Sequence, residues 1–201
     1  MRDKESKQRI LDAALSVVAK RSINGTRMQL IAQEADMSQA NLHYHFATKE
    51  RLLTALTHEV QGAYARWRLD AVSACGDDLE AQLRAFFQNK KQQILEKPDY
   101  DRVEFDFWVT SQSDEAIRTV FRQNFQEWHA HMASVFRKCR PSLTEAQASL
   151  LARSMMSMMK GAAMQFLLEP NFDLEQYFDL CFHQIMYTIR SYTSEEPVKE
   201  D

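Results

Sequence analysis

Residues 26–51 read TRMQLIAQEADMSQANLHYHFATKER. Their spacing predicts two short helices joined by a tight turn. In Gln39-Ala40-Asn41-Leu42-His43-Tyr44-His45-Phe46, Leu42 and Phe46 stand four apart, which seats both on a core. Gln39, Ala40, His43 and Tyr44 then gather on the other side. That stripe carries an amide, a methyl, an imidazole and a phenol, and no acid. A solvated helix face ordinarily carries Lys and Glu. This one suits base edges and phosphates, so the expectation is a helix-turn-helix that reads DNA.

The turn has its own chemistry. A small residue at Ala32 lets two helices cross closely. Position 36 needs a left-handed backbone, easiest for Gly and tolerated by Asp. Met37 plugs the corner. Thr26, Ser38 and Thr48 are placed to cap the second, third and fourth helices.

Outward from this motif the periodicity stays helical, with no convincing apolar/polar alternation. Ile10, Leu11, Ala14 and Val18 mark a first helix ending near Ile23-Asn24-Gly25. Leu53, Leu56, Val60, Tyr64 and Trp67 mark the fourth, expected to reach Cys75-Gly76. Further helices are expected over about 77–97, 100–111, 113–140, 143–169 and 173–192, with Pro98, Pro141 and Pro170 at the boundaries. The fold expected is all-α, about nine helices. It comprises a DNA-binding head (1–50), a helical body (51–192) for which ligand-binding and dimerisation roles are expected below, and a polar tail (193–201).

The net charge of −3 argues against a general nucleic-acid binder, but it is unevenly spread. Residues 1–51 hold nine Lys and Arg against six Asp and Glu; residues 52–201 hold sixteen against twenty-two. A basic head and an acidic body fit a DNA-facing end. Cys75, Cys139 and Cys181 are odd in number, far apart and in no metal-binding spacing, as expected of reduced core thiols in a cytoplasmic protein. The first residues carry no secretory signal and no stretch is apolar enough to span a bilayer. There is no phosphate-binding glycine loop, nucleophile elbow or H-E-x-x-H, so no enzyme is expected. His43/His45 and His129/His131 sit two apart on helices, where side chains diverge, so neither a metal nor a cofactor is expected.

The run Ile31-Ala32-x-x-Ala35-Asp36-Met37-Ser38-x-x-x-Leu42-x-Tyr44-His45-Phe46-x-Thr48-Lys49-Glu50-x-Leu52-Leu53 resembles the TetR family of bacterial transcriptional regulators. It departs from the family at Asp36, where Gly is usual. The resemblance implies roles position by position. Thr26 and Arg27 open the second helix against the DNA backbone. Gln39, Ala40 and His43 face base edges. Asn41, Tyr44 and His45 touch phosphates or sugars, and Lys49 clamps a phosphate beside the start of the fourth helix. It also implies a dimer on operator DNA, released by a small-molecule effector. An activator of the same fold is the alternative. A helical carrier without DNA binding would leave the 39–44 face unremarkable.

Two expectations concern the body. Leu150, Leu151, Met155, Met158, Ala162 and Phe166, then Tyr177, Phe178, Cys181, Phe182, Ile185 and Ile189, cover more than one face of the last two helices, so a second copy is expected to seal them. Effector candidates are Glu104, Phe105, Trp108, Phe121, Phe125, Trp128 and Met159. Aromatic faces near Glu104 and Asp101 favour an apolar cation over a neutral aromatic or acyl compound. Met155, Met156, Met158 and Met159 read first as a buried helix, and a ligand wall is compatible with that. Glu104 beside Trp108 reads otherwise as a surface acid next to a core ring.

Overall fold

The computed structural model of the chain describes residues 2–194. Among these there are nine helices and no strand: α1 (Arg2–Gly25), α2 (Met28–Glu34), α3 (Gln39–His45), α4 (Lys49–Val72), α5 (Leu79–Glu96), α6 (Pro98–Thr110), α7 (Glu115–Cys139), α8 (Glu145–Leu168) and α9 (Leu174–Ser194). From residue 195 onward the expected polar tail lies outside the described residues.

Local chemistry sets the helix ends. The Ser38 hydroxyl accepts from the Asn41 N–H at 3.2 Å to start α3, and Thr48 accepts from the Arg51 N–H at 3.3 Å to start α4. Thr144 and Gln147 form a reciprocal capping box at α8. Between α2 and α3, Asp36 takes φ 49, the left-handed conformation expected there. Its N–H donates to Gln33 O and that of Met37 to Ala32 O, the two bonds of a Schellman ending.

Pro98 stands at the boundary expected of it: α5 ends at Glu96 and Pro98 opens α6, where its missing N–H has no helical partner to lose. Two expectations are corrected. Helix four ends at Val72 rather than near Cys75. Thr26 does not cap α2. The N-cap is Arg27, without a side-chain bond, and the buried Thr26 hydroxyl donates to Ser22 O at 2.7 Å. The reason lies in α1, which leaves helical geometry at Ser22 (φ 60, ψ 168). The Thr26 N–H then reaches Ile23 O, leaving the Ser22 carbonyl to the side chain.

The chain groups into two compact units, and packing does not divide it at residue 50. One unit runs up to Tyr64 and includes Lys97–Asn124. Here α1 packs on α2 and α6, and α2 on α3, around Ile10, Ala14, Val18, Ile31, Leu42, Leu52 and Leu56. The other unit comprises Ala65–Glu96 and the chain from Phe125 onward. In it α5, α8 and α9 pack on one another around Leu83, Phe86, Phe87, Met155, Phe178 and Ile185. Of the three free cysteines only Cys181 is buried; Cys75 and Cys139 are half-buried.

Candidate functional site

Helix α3 is seven residues long and is anchored from beneath by Leu42, which is 0% exposed. Gln39, Ala40, Asn41, His43 and Tyr44 are all exposed, and Tyr44 stands 81% in solvent. The acid-free stripe therefore faces outward as a unit on a helix narrow enough for a major groove. Arg27 is exposed at the start of α2.

The other residues expected on DNA are engaged within the protein. The hydroxyl of buried Thr26 is taken by Ser22. His45 turns inward, its side chain 5% exposed, with Nδ1 3.2 Å from Asp3 Oδ1. The Asp3 carboxyl is itself held below its usual range, first by its hydrogen bond with Lys7. Lys49 is half-buried, and its ammonium donates to Ile23 O at 2.7 Å. A groove of 410 Å³ lined by Glu5, Ser6, Arg9 and Asn41 sets Arg9, which the sequence reading did not single out, beside α3. The signal for Arg9 was the run of Lys4, Lys7 and Arg9 ahead of the first apolar stripe.

On α6 the expected order of acid and ring is reversed. Glu104 is 3% exposed and Trp108 is 56% exposed. Glu104 is a core carboxylate whose Oε1 accepts from Gln61 Nε2 at 3.1 Å, and Trp108 is a surface ring near the helix end. Asp101, 1% exposed, accepts from the Tyr64 hydroxyl at 2.7 Å. Tyr100 meets the Tyr64 ring edge-on, centroids 6.2 Å apart. Burial, and then the Glu104 and Asp101 carboxylates, push the Tyr64 phenol well above its ordinary value, so it stays neutral and donates. Phe105 is half-buried and Phe121 buried in the same unit.

The remaining candidates belong to the second unit, where Trp128 and Met159 are buried and Phe125 is half-buried. Trp128 meets the chain's own cations: the Arg68 guanidinium lies 4.5 Å from its ring centroid and the Lys160 ammonium 5.8 Å. Burial, then Arg68, lowers the pKa of His131. Met155, Met156 and Met159 are buried and Met158 half-buried, the plain core reading of that run. Among the described residues no group of three His, Cys, Asp or Glu could hold a metal ion, and no helix is long and apolar enough to cross a membrane.

A short helix with an outward, acid-free face, seated through a Schellman turn on its partner helix, defines a helix-turn-helix DNA-binding protein. Two family models then cover most of the chain. Residues 10–56 match the bacterial regulatory proteins of the tetR family, and residues 77–189 match the BetI-type transcriptional repressor C-terminal domain. The chain belongs to the TetR family of transcriptional regulators, with a BetI-type C-terminal domain. It is 26% identical over 156 residues to an uncharacterised helix-turn-helix transcriptional regulator of Xanthobacter autotrophicus, covering 77% of this chain and 76% of that one. The fold is shared with a protein of Pseudomonas aeruginosa PAO1 solved as a transcriptional regulator (TM-score 0.79, 22% identity, 94% of each chain). It is also shared with a regulator of Saccharomonospora viridis solved in complex with choline (TM-score 0.70, 20% identity, 93% of this chain and 96% of that one).

Proposed function

We propose that the protein is a repressor. It occupies a palindromic or near-palindromic operator as a homodimer in the cytoplasm and leaves it when a small organic effector binds. The observation that carries this reading is the exposed face of Gln39, Ala40, Asn41, His43 and Tyr44 over a fully buried Leu42. Two such helices enter successive major grooves when they stand about one DNA turn apart, roughly 34–36 Å. A dimer fixes that distance, and an effector that binds one spacing better than the other shifts the population.

The dimer face is narrower than the apolar excess on the last two helices suggested. Leu151, Met155, Ala162, Phe178, Cys181, Phe182, Ile185 and Ile189 are buried inside the single chain. What stays exposed is Leu150, Met164 and Leu168 on α8, with Leu180 and Tyr187 on α9. The α8 residues recur on one stripe together with Gly161, where an added Cβ meets nothing within 4 Å. We place the two-fold contact there.

For the effector we propose an apolar cation held near Asp101, Glu104, Tyr64 and Tyr100, with Phe105 and Phe121 as apolar lining. Two buried carboxylates beside two phenol rings support this reading, and the choline-bound regulator of the same fold agrees with it. Trp108 is left out because it lies on the surface, and Trp128 because its ring already meets Arg68. Thermal shift with choline and longer quaternary ammonium compounds tests the assignment. The expected result is stabilisation of the wild type and its loss in Glu104→Gln. Equal stabilisation of both by neutral aromatics would replace the cation with a neutral ligand.

A further inference from the structure

We propose that the backbone of Ile23 is a latch through which α6 sets the geometry of the DNA-binding helices. The proposal rests on the reading of the chain as a DNA-binding regulator, and it names the residues that carry the coupling.

The latch is built on a strained residue. α1 abandons helical geometry at Ser22, whose φ of 60 and ψ of 168 fall in a region essentially reserved for glycine. Such a conformation persists only where its surroundings hold it. Here three elements do so. The Ile23 N–H donates to Asp106 Oδ2 on α6. The Ile23 carbonyl accepts from Lys49 Nζ, on the first residue of α4, at 2.7 Å. The Ser22 carbonyl accepts from Thr26, just ahead of α2, at 2.7 Å. An acid and an ammonium thus grip opposite sides of one residue, and bonds to charged groups are the stronger kind.

The same α6 is tied to α4 further along, through Asp101 to Tyr64 and Glu104 to Gln61. A 13-residue helix moves largely as a body. A displacement that disturbs Asp101 or Glu104 therefore carries Asp106, on the next turn, away from Ile23. The α6 hydrogen bond that opposes the relaxation of Ser22 is then gone. The last turn of α1 leads directly into α2, so its relaxation re-aims α2 and α3. The latched form is the DNA-competent one, and Asp106 is a positioning residue that touches no DNA.

The sign of one substitution separates this from simple electrostatics. Removing an acid from a DNA-binding protein tightens its hold on phosphates. Opening the latch loosens it. The test uses the full-length protein and a duplex enriched by the wild type from a random 30-bp library. Asp106→Ala is expected to bind that duplex about tenfold more weakly, within the usual range of coupling energies, with an unchanged salt slope. Asp106→Asn removes the same charge but keeps an acceptor for the Ile23 N–H, and is expected to bind at least as tightly as wild type. Adding Ser22→Gly to Asp106→Ala removes the strain, so binding should return to within about threefold of wild type. Amide hydrogen exchange reads the latch directly: Ile23 should exchange faster in Asp106→Ala while Ile31 and Leu42 stay protected. Equal or tighter DNA binding by Asp106→Ala, or no rescue by Ser22→Gly, overturns the proposal. If the wild type enriches no duplex, the regulator reading fails, and Ile23 exchange still decides whether Asp106 holds the break.

Discussion

The hydroxyl of Tyr64 donates to Oδ1 of Asp101 at 2.7 Å, joining α4 to α6 across 37 positions of sequence. Both groups are buried, so loss of the donor leaves a core carboxylate short of one partner. Tyr64→Phe is expected to cost about 1–3 kcal/mol in urea unfolding at neutral pH. It should also change the alkaline limb. The folded phenol is held well above 10, so above pH 10 the unfolded chain has released a proton that the folded chain keeps. Stability then falls as pH rises. That slope should be shallower in Tyr64→Phe; an unchanged slope between pH 9 and 11 would remove Tyr64 from the account.

Lys49 was expected on a phosphate, yet its ammonium lies on Ile23 O at 2.7 Å. Lys49→Ala should weaken binding to the enriched duplex while leaving the dependence of log K on log salt unchanged. A phosphate contact would instead lower that slope by about one unit. Titrations at several salt concentrations distinguish the two.

The exposed stripe on α8 and α9 predicts the effect of one charge. Leu180 is exposed on α9 within that stripe, so Leu180→Glu should fold normally and sediment as a monomer at micromolar concentration, where the wild type is expected to sediment as a dimer. A dimeric Leu180→Glu with unchanged affinity would move the interface elsewhere.

Asp36 holds φ 49 in the turn between α2 and α3. Glycine adopts this conformation without the Cβ conflict, so Asp36→Gly should raise folding stability by about 1 kcal/mol with DNA binding preserved. A fall in melting temperature would mean that the Asp36 side chain contributes more than its backbone costs.

What was legible in the sequence is what local chemistry alone decides. Asp36 in a position that needs a left-handed backbone, Ser38 and Thr48 as caps, and Leu42 as the buried anchor of α3 all depend on neighbours within a few residues. What was not legible depends on partners far along the chain. Glu104 and Trp108 share one side of α6, and the buried acid is met by partners far along the chain, among them Gln61, 43 positions away. His45 was expected on a phosphate, and its side chain is turned inward beside Asp3, 42 positions earlier. The break at Ser22 had no signal, because serine does not favour its φ and two of the residues that hold it, Lys49 and Asp106, come from α4 and α6. On α8 and α9, an apolar residue is the same letter whether it faces its own core or solvent, so the exposed stripe proposed for a second copy could not be read from the letters.

The central claim is that α3 reads bases through the stripe that begins at Gln39. Binding-site selection from a random duplex library, with wild type and Gln39→Ala in parallel, tests it most directly. The wild type is expected to enrich two related half-sites centred about one helical turn apart, and Gln39→Ala to shift preference at one base pair in each by about 1–3 kcal/mol. Enrichment of the same sequences by both proteins, or of none by the wild type, would contradict the account.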